Sequence, residues 1–300
     1  MGNYMKKVIS KTKILGKIDF NNEALRRDLA VIERFPVFDE EYSEFNQGTW
    51  INNSLWNDNG DYRNTQYKDY PGEAKLTELG HETLYINEVI HQYFDVDNLK
   101  MVRTRNLING QVIPHKDFVE FGQQKEKYLR VLIPLESPMT SYHSDEDYGV
   151  FRMRKGEIWM LDASVVHAAY NFGQDNRVIL CLDFQFEGVD KLYPEMIFTD
   201  LSTGDNLQHP MVFKRQALTK KDRQDFVNEL ARSIHNLEDI KNAVFKLSFA
   251  HIHHDIPIQE IYDILIELTQ NKGQHIQSYC REMKQYYIGK RGLGQRFTLV

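Results

Sequence analysis

Apolar positions along this chain repeat first with a mixed period, then with a strand period, and finally with a helical one. Residues 14–20 (ILGKIDF) alternate well enough for a strand. Asn21 and Asn22 then offer a cap for a helix over Glu23–Phe35, with Leu25, Leu29 and Ile32 at helical spacing and Pro36 ending it. The stretch 37–72 is rich in Asn, Asp, Gly and aromatic residues without sustained periodicity, which predicts ordered loop with short strands. Thr77–Phe94 reads as one amphipathic helix, with Leu79, Leu84, Ile86, Val89, Ile90 and Phe94 mostly on one face. Strand-like runs follow at Leu99–Ile108, Tyr128–Pro134 and Val150–Met153, then in Gly156–Asp162 between two turns, and from Arg177 in RVILCLDF. Gly188 to about Pro210 is loop-like. From Thr219 the period is helical in four segments, TKKDRQDFVNELARSI, NLEDIKNAVFKLSFAHIH, PIQEIYDILIELTQNKG and HIQSYCREMKQYYI. Thr219 with Asp222 forms a cap pattern, and Pro257 sits where a first helical turn tolerates it. The expected architecture is a strand-rich domain over 1–207 and a helical domain over 208–300 packed on it.

Composition narrows the function class. The chain has 300 residues, 41% hydrophobic and 12% aromatic, enough for a sizeable core. A net charge of −6 and a pI of about 6.0 argue against a broad nucleic-acid-binding surface. Two cysteines, Cys181 and Cys280, give no disulfide framework, and Cys181 lies in an apolar run as a small core residue would. No segment approaches a membrane span or a signal peptide, and Lys6 stands where myristoylation would want Ser or Thr. The expectation is a soluble, cytoplasmic protein with no nucleic-acid or membrane partner. A homodimer is left open.

The chemistry concentrates between Arg103 and Asp183. His115 and Asp117 are two residues apart, so in a strand both side chains would project from one face. His167 follows 52 residues later (167 − 115), room for several strands before the chain returns. Two imidazoles and one carboxylate with open positions opposite are the facial triad of non-haem Fe(II) oxygenases. A bare His-x-Asp arises by chance in a chain with eleven His. The strand that delivers His167, and Arg177 ten residues beyond it (177 − 167), turn the pair into a site. Arg177 could grip a carboxylate through two parallel hydrogen bonds. Arg103 and Arg105 share a strand face, and Arg130 among apolar neighbours needs an anionic partner or a route to solvent. The aromatics Trp50, Trp56, Tyr62, Tyr67 and Tyr70 read as core packing before ligand contact. Asn57-Asp58-Asn59-Gly60-Asp61 fails as a calcium loop because Lys68 occupies the closing acidic position. No Cys or carboxylate pattern completes a second metal site at His251, His253 and His254.

The stretches LGKIDF, EEYSEFNQGTWINNSLWNDNGD, RTRNLINGQVIPHKDFVE, YHSDED, RKGEIWMLDASVVHAAYNF and QRFTL span nearly the whole chain. Together they resemble the proline 3-hydroxylase family of bacterial free amino acid hydroxylases, Fe(II)/2-oxoglutarate dioxygenases related to aspartyl/asparaginyl β-hydroxylases. The resemblance implies a mixed α and β fold: a double-stranded β-helix (jelly-roll, cupin-like) core with N-terminal helices and a C-terminal helical bundle. It implies that His115, Asp117 and His167 hold Fe(II), that Arg177 holds the distal carboxylate of 2-oxoglutarate with His143 nearby, and that O₂ is the second cosubstrate. L-proline is the implied substrate, with Arg103, Arg105 or Arg130 as partners for its carboxylate and Trp159 as a further pocket candidate. L-lysine is the runner-up, its ε-ammonium needing Glu120 or Asp145. A peptide asparaginyl or aspartyl hydroxylase would want an open groove. A non-catalytic cupin-like module would not need the ligands and Arg177 intact. A zinc hydrolase would have no use for Arg177.

Overall fold

The computed structural model describes residues 11–38, 43–121, 127–199, 209–292 and 294–297. Among them eleven strands form one sheet. They are β1 (Lys13–Lys17), β2 (Asn46–Asn57), β3 (Lys75–Leu76), β4 (Leu99–His115), β5 (Tyr128–Glu136), β6 (Ser141–Asp145), β7 (Gly149–Arg152), β8 (Glu157–Leu161), β9 (His167–Asn171), β10 (Arg177–Gln185) and β11 (Met211–Val212). The order is β1-β8-β5-β10-β4-β9-β6-β7-β11, with β2 paired to β4 and β3.

The 17-residue β4 is the spine. Its first half pairs with β10 (Leu99↔Phe184 to Leu107↔Arg177) and its second with β9 (Gly110↔Asn171 to His115↔His167). β9 and β10 thus lie end to end along one edge, while β2 runs antiparallel along the other. The changeover falls at Asn109, held at φ 42, opposite Gly48 at φ 85. A Cβ on Gly48 would stand 2.3 Å from the Asn109 carbonyl oxygen, so only glycine lets the two backbones approach here. Through this bend the sheet curls over on itself as a jelly roll.

Strand alternation then sorts the side chains. On β10 the even positions Val178, Leu180, Leu182 and Phe184 join Val131, Ile133 and Met160 in a core beneath helices α1 (Asn22–Arg34), α2 (Glu78–Glu82) and α3 (Leu84–Tyr93). Its odd positions, Arg177, Ile179, Cys181 and Asp183, face inward, in register with Arg105 and Arg103 of β4 and Arg130 of β5. Helices α4 (Lys220–Arg232), α5 (Leu237–His253), α6 (Ile261–Leu268) and α7 (Gln274–Lys284) form the bundle, whose core joins Phe45, Leu107, Val112 and Ile113. Because both outer faces are covered, β5 and β10 read as nearly continuous apolar runs. No helix among the described residues is long and apolar enough to cross a membrane.

Several expectations need correction. The segment read as ordered loop with short strands contains one long strand, β2, of 12 residues, whose buried side chains include the polar Asn52, Asn53 and Ser54 and so show no apolar alternation. The single helix over 77–94 is two, broken at Thr83, whose hydroxyl bonds back to the Leu79 and Gly80 carbonyls. β4 runs seven residues past Ile108 (115 − 108). Asn21 and Thr219 cap as read, their side chains accepting from the first-turn amides. The boundary placed at 207/208 lies outside the described residues.

Candidate metal centre and the cavity beside it

His115 closes β4 and His167 opens β9, and the two are register partners. Asp117 is not on the strand. The chain leaves β4 after His115, and the Asp117 amide donates to the Ala163 carbonyl at 2.8 Å. Phe118 follows at φ 60, an uncommon conformation for a bulky residue. That turn brings the carboxylate back: Asp117 Oδ1 lies 3.7 Å from His115 Nε2 and Oδ2 lies 3.7 Å from His167 Nε2. One ligand atom from each residue falls within 4.8 Å of the others, the one such cluster of three among the described residues.

The tautomers are set by the backbone. His115 Nδ1 is 2.8 Å from the Ile113 carbonyl and His167 Nδ1 is 3.0 Å from that of Val165. A carbonyl only accepts, so each Nδ1 carries the proton and each Nε2 presents its lone pair to the shared point. Burial, with the His167 ring beside it, pushes His115 down to about 3, which keeps it neutral and ligating at ordinary pH. Burial opposes the charge on Asp117, but Arg130 and the two imidazoles outweigh it and hold the carboxyl well below its ordinary value. Two imidazoles and one carboxylate, open on one side, fit a divalent cation with free positions for other ligands.

A cavity of about 80 Å³ opens beside the triad, with His115, Asp117, Arg103, Arg105, Arg130 and Glu120 in its walls. These arginines are not equivalent. Asp183, fully buried, accepts from Arg103 Nη2 at 2.6 Å and from Arg130 Nε at 2.7 Å, and Arg130 Nη1 also contacts Asp117. Arg130 thus has the anionic partners that its burial demands. Arg105 and Arg177 have no hydrogen-bond or ion-pair partner among the described residues. Burial pushes each down to about 10, helped by its neighbouring arginine, so both stay cationic at neutral pH. His143 stacks on His167 with centroids 6.1 Å apart, and neither of its ring nitrogens has a hydrogen-bond partner. Burial, followed by Arg177, holds it far below its ordinary value. Unmatched polar groups of this kind, next to two unneutralised guanidinium groups, ask for an anionic, hydrogen-bonding ligand.

Four of the candidates read from the sequence do not line this cavity: Arg177 and His143, which lie near each other with His143 stacked on His167, and Trp159 and Asp145. Trp159 is fully buried, stacked on Phe151 at 5.0 Å with its Nε1–H on Glu157, and does not reach the cavity wall. Asp145 is the register partner of His167, but its Oδ1 accepts from the Asp147 and Tyr148 amides and it too is off the wall. Glu120 is on the wall, ion-paired to Arg291. Sequence reading missed Asp183, Arg291, Phe45 and Phe118. Trp50 and Tyr67, read as core aromatics, line the cavity.

Comparison with known proteins agrees with this geometry. The family model described as aspartyl/asparaginyl beta-hydroxylase matches residues 19–186, and that of the L-proline 3-hydroxylase C-terminal domain matches 194–295. L-proline cis-3-hydroxylases 1 and 2 of Streptomyces sp are each 35% identical over 292 residues, 97% of this chain and 99% of theirs. L-proline cis-4-hydroxylase of Rhizobium meliloti (strain 1021) is 27% identical over 290 residues, 96% of this chain and 99% of its own.

Two outcomes follow from the charges. Asp183→Asn leaves two buried guanidinium groups facing a neutral amide and is expected to cost about 3–5 kcal/mol in denaturant unfolding. In the unfolded chain His115 binds its proton near 6.5, in the folded one only near 3. Between those values the unfolded state holds more protons, so metal-free protein loses stability as pH falls through that window. His115→Asn should flatten that slope in urea titrations run across it, and an unchanged slope would refute the assignment.

Proposed function

Because the chain belongs to the aspartyl/asparaginyl beta-hydroxylase family, and carries the C-terminal domain of the L-proline 3-hydroxylases, we propose that it hydroxylates free L-proline at C3. It is a 2-oxoglutarate-dependent dioxygenase. Fe(II) bound with 2-oxoglutarate and O₂ supplies the oxidative chemistry: the cosubstrate becomes succinate and CO₂, and one oxygen atom enters a C–H bond of the substrate.

The chain's own part is binding and orientation. His115, Asp117 and His167 are the residues that would hold the metal. Arg177, inward-facing and without an anionic partner among the described residues, is suited to the distal carboxylate of 2-oxoglutarate, with His143 beside it as a neutral hydrogen-bonding group. Arg103 and Arg130 are already ion-paired, both with Asp183 and Arg130 also with Asp117, so of these three arginines Arg105 is the wall cation with charge to spare for the substrate carboxylate. The supporting observation is this separation: the cavity beside the metal-ligand triad carries Arg105 without an anionic partner, and Arg177, also without one among the described residues, lies near His143, which stacks on His167. The Arg291 partner of Glu120 leaves no unpaired acid on the wall there for a lysine ammonium.

The test uses anaerobically purified protein with Fe(II), 2-oxoglutarate and each free amino acid, followed by admission of O₂. Succinate and a product heavier by one oxygen atom are expected with proline, with the hydroxyl on C3 by NMR and no turnover in His115→Ala. A hydroxyl on C4, or oxidation of lysine alone, would keep the chemistry and overturn the substrate assignment. Arg177→Lys should raise the KM for 2-oxoglutarate about tenfold, because an ammonium cannot reproduce the two-point grip of a guanidinium. An unmoved KM would remove Arg177 from that role.

A further inference from the structure

The helical domain reaches into the metal centre at the backbone on either side of His115. Tyr262 OH donates to the Pro114 carbonyl at 2.7 Å, and the Lys116 amide donates to the Tyr287 carbonyl at 2.9 Å. Arg291 Nη2 donates to the Lys116 carbonyl at 2.8 Å. Each of these three partners comes from beyond residue 260, across the domain junction. They converge on the segment that carries two of the three ligands and then passes into the left-handed Phe118, a conformation that persists only where its surroundings hold it.

Arg291 is the side chain best placed to hold that turn. It is 8% exposed, and its Nε–H donates to Glu120 Oε1. Its guanidinium carbon sits 5.4 Å above the Phe45 ring and 5.6 Å above that of Tyr286, and Nη2 lies 4.0 Å from Asp117 Oδ1. On charge alone a cation this close to a ligand carboxylate would weaken the hold on a metal ion. Glu120 offsets that charge, so what remains is geometric: one planar group pins the carbonyl before Asp117 and the carboxylate three residues after it (120 − 117). We propose that Arg291 is a positioning residue of the metal centre, through which the C-terminal helical domain fixes the Asp117 turn and closes one wall of the cavity. The inference rests on the metal reading given above.

The test is a Co(II) titration of the full-length wild type, Arg291→Ala and Arg291→Lys, read by the visible absorption of the bound ion. Thermal unfolding of the metal-free proteins reports folding separately. Wild type that binds no Co(II) sinks the metal reading itself. If wild type binds, Arg291→Ala should raise the dissociation constant about 10–100-fold, the range found when groups that orient ligands are lost, and alter the absorption bands. Arg291→Lys should bind about tenfold more weakly than wild type, since one ammonium cannot serve both the carbonyl and Glu120. Wild-type affinity and spectrum in Arg291→Lys would mean that charge alone matters and would overturn the proposal. Wild-type behaviour in Arg291→Ala would overturn it equally. If Arg291→Ala does not fold, Arg291→Lys, which keeps the aliphatic stem and the charge, decides alone.

Discussion

Asp183 is fully buried in the curl of the sheet, and both of its carboxylate oxygens are taken by guanidinium groups from other strands. A lone buried charge is expensive, and a cluster of buried cations more so. With Asp183 in place, Arg103 and Arg130 become fixed parts of the wall, and Arg130 is turned toward Asp117. The interior is thereby divided into charges that are satisfied and charges that are not. Arg105 and Arg177 belong to the second group, and they are the charges that the proposed carboxylate ligands would meet.

Much of the site could be read from the chain because its residues stand out locally. His115 with Asp117, His167 after a short strand, and Arg177 at the head of an apolar run each carry a recognisable neighbourhood. Asp183 stood in plain view at the end of RVILCLDF, but its meaning depends on antiparallel register. Only the pairing of β10 with β4 and β5 sets it between two arginines distant in sequence. Arg291 was invisible for the same reason, being 171 residues from its partner Glu120. Trp159 is on the inward face of its strand, but it packs in an apolar cluster with Phe151, Ile179 and Cys181 and so does not reach the cavity. The polar strand β2 escaped because it is stabilised by pairing along β4 rather than by an apolar face. Helices were the more legible half, since caps and 3.6-residue periodicity are local signals.

The two halves of the chain are joined by more than apolar packing. The bundle's core continues into Leu107, Val112 and Ile113 of β4, while its polar groups finish the hydrogen bonding of the strand end that bears His115. A strand terminus next to an open cavity would otherwise leave backbone groups exposed to whatever enters. Here the partners of those groups come from the helical bundle, through Tyr262 and Tyr287.

The imidazole orientation has its own logic. Each ring is held by the backbone carbonyl two residues before it, a partner that no side-chain replacement removes. Several residues that shape the cavity, such as Trp50, Thr65 and Tyr67, come from another segment. Ligand geometry and part of the pocket shape are therefore written in separate parts of the chain. Such a scaffold can drift from one small carboxylate-bearing substrate to another, or from one ring carbon to the next, while its reactive centre is inherited unaltered.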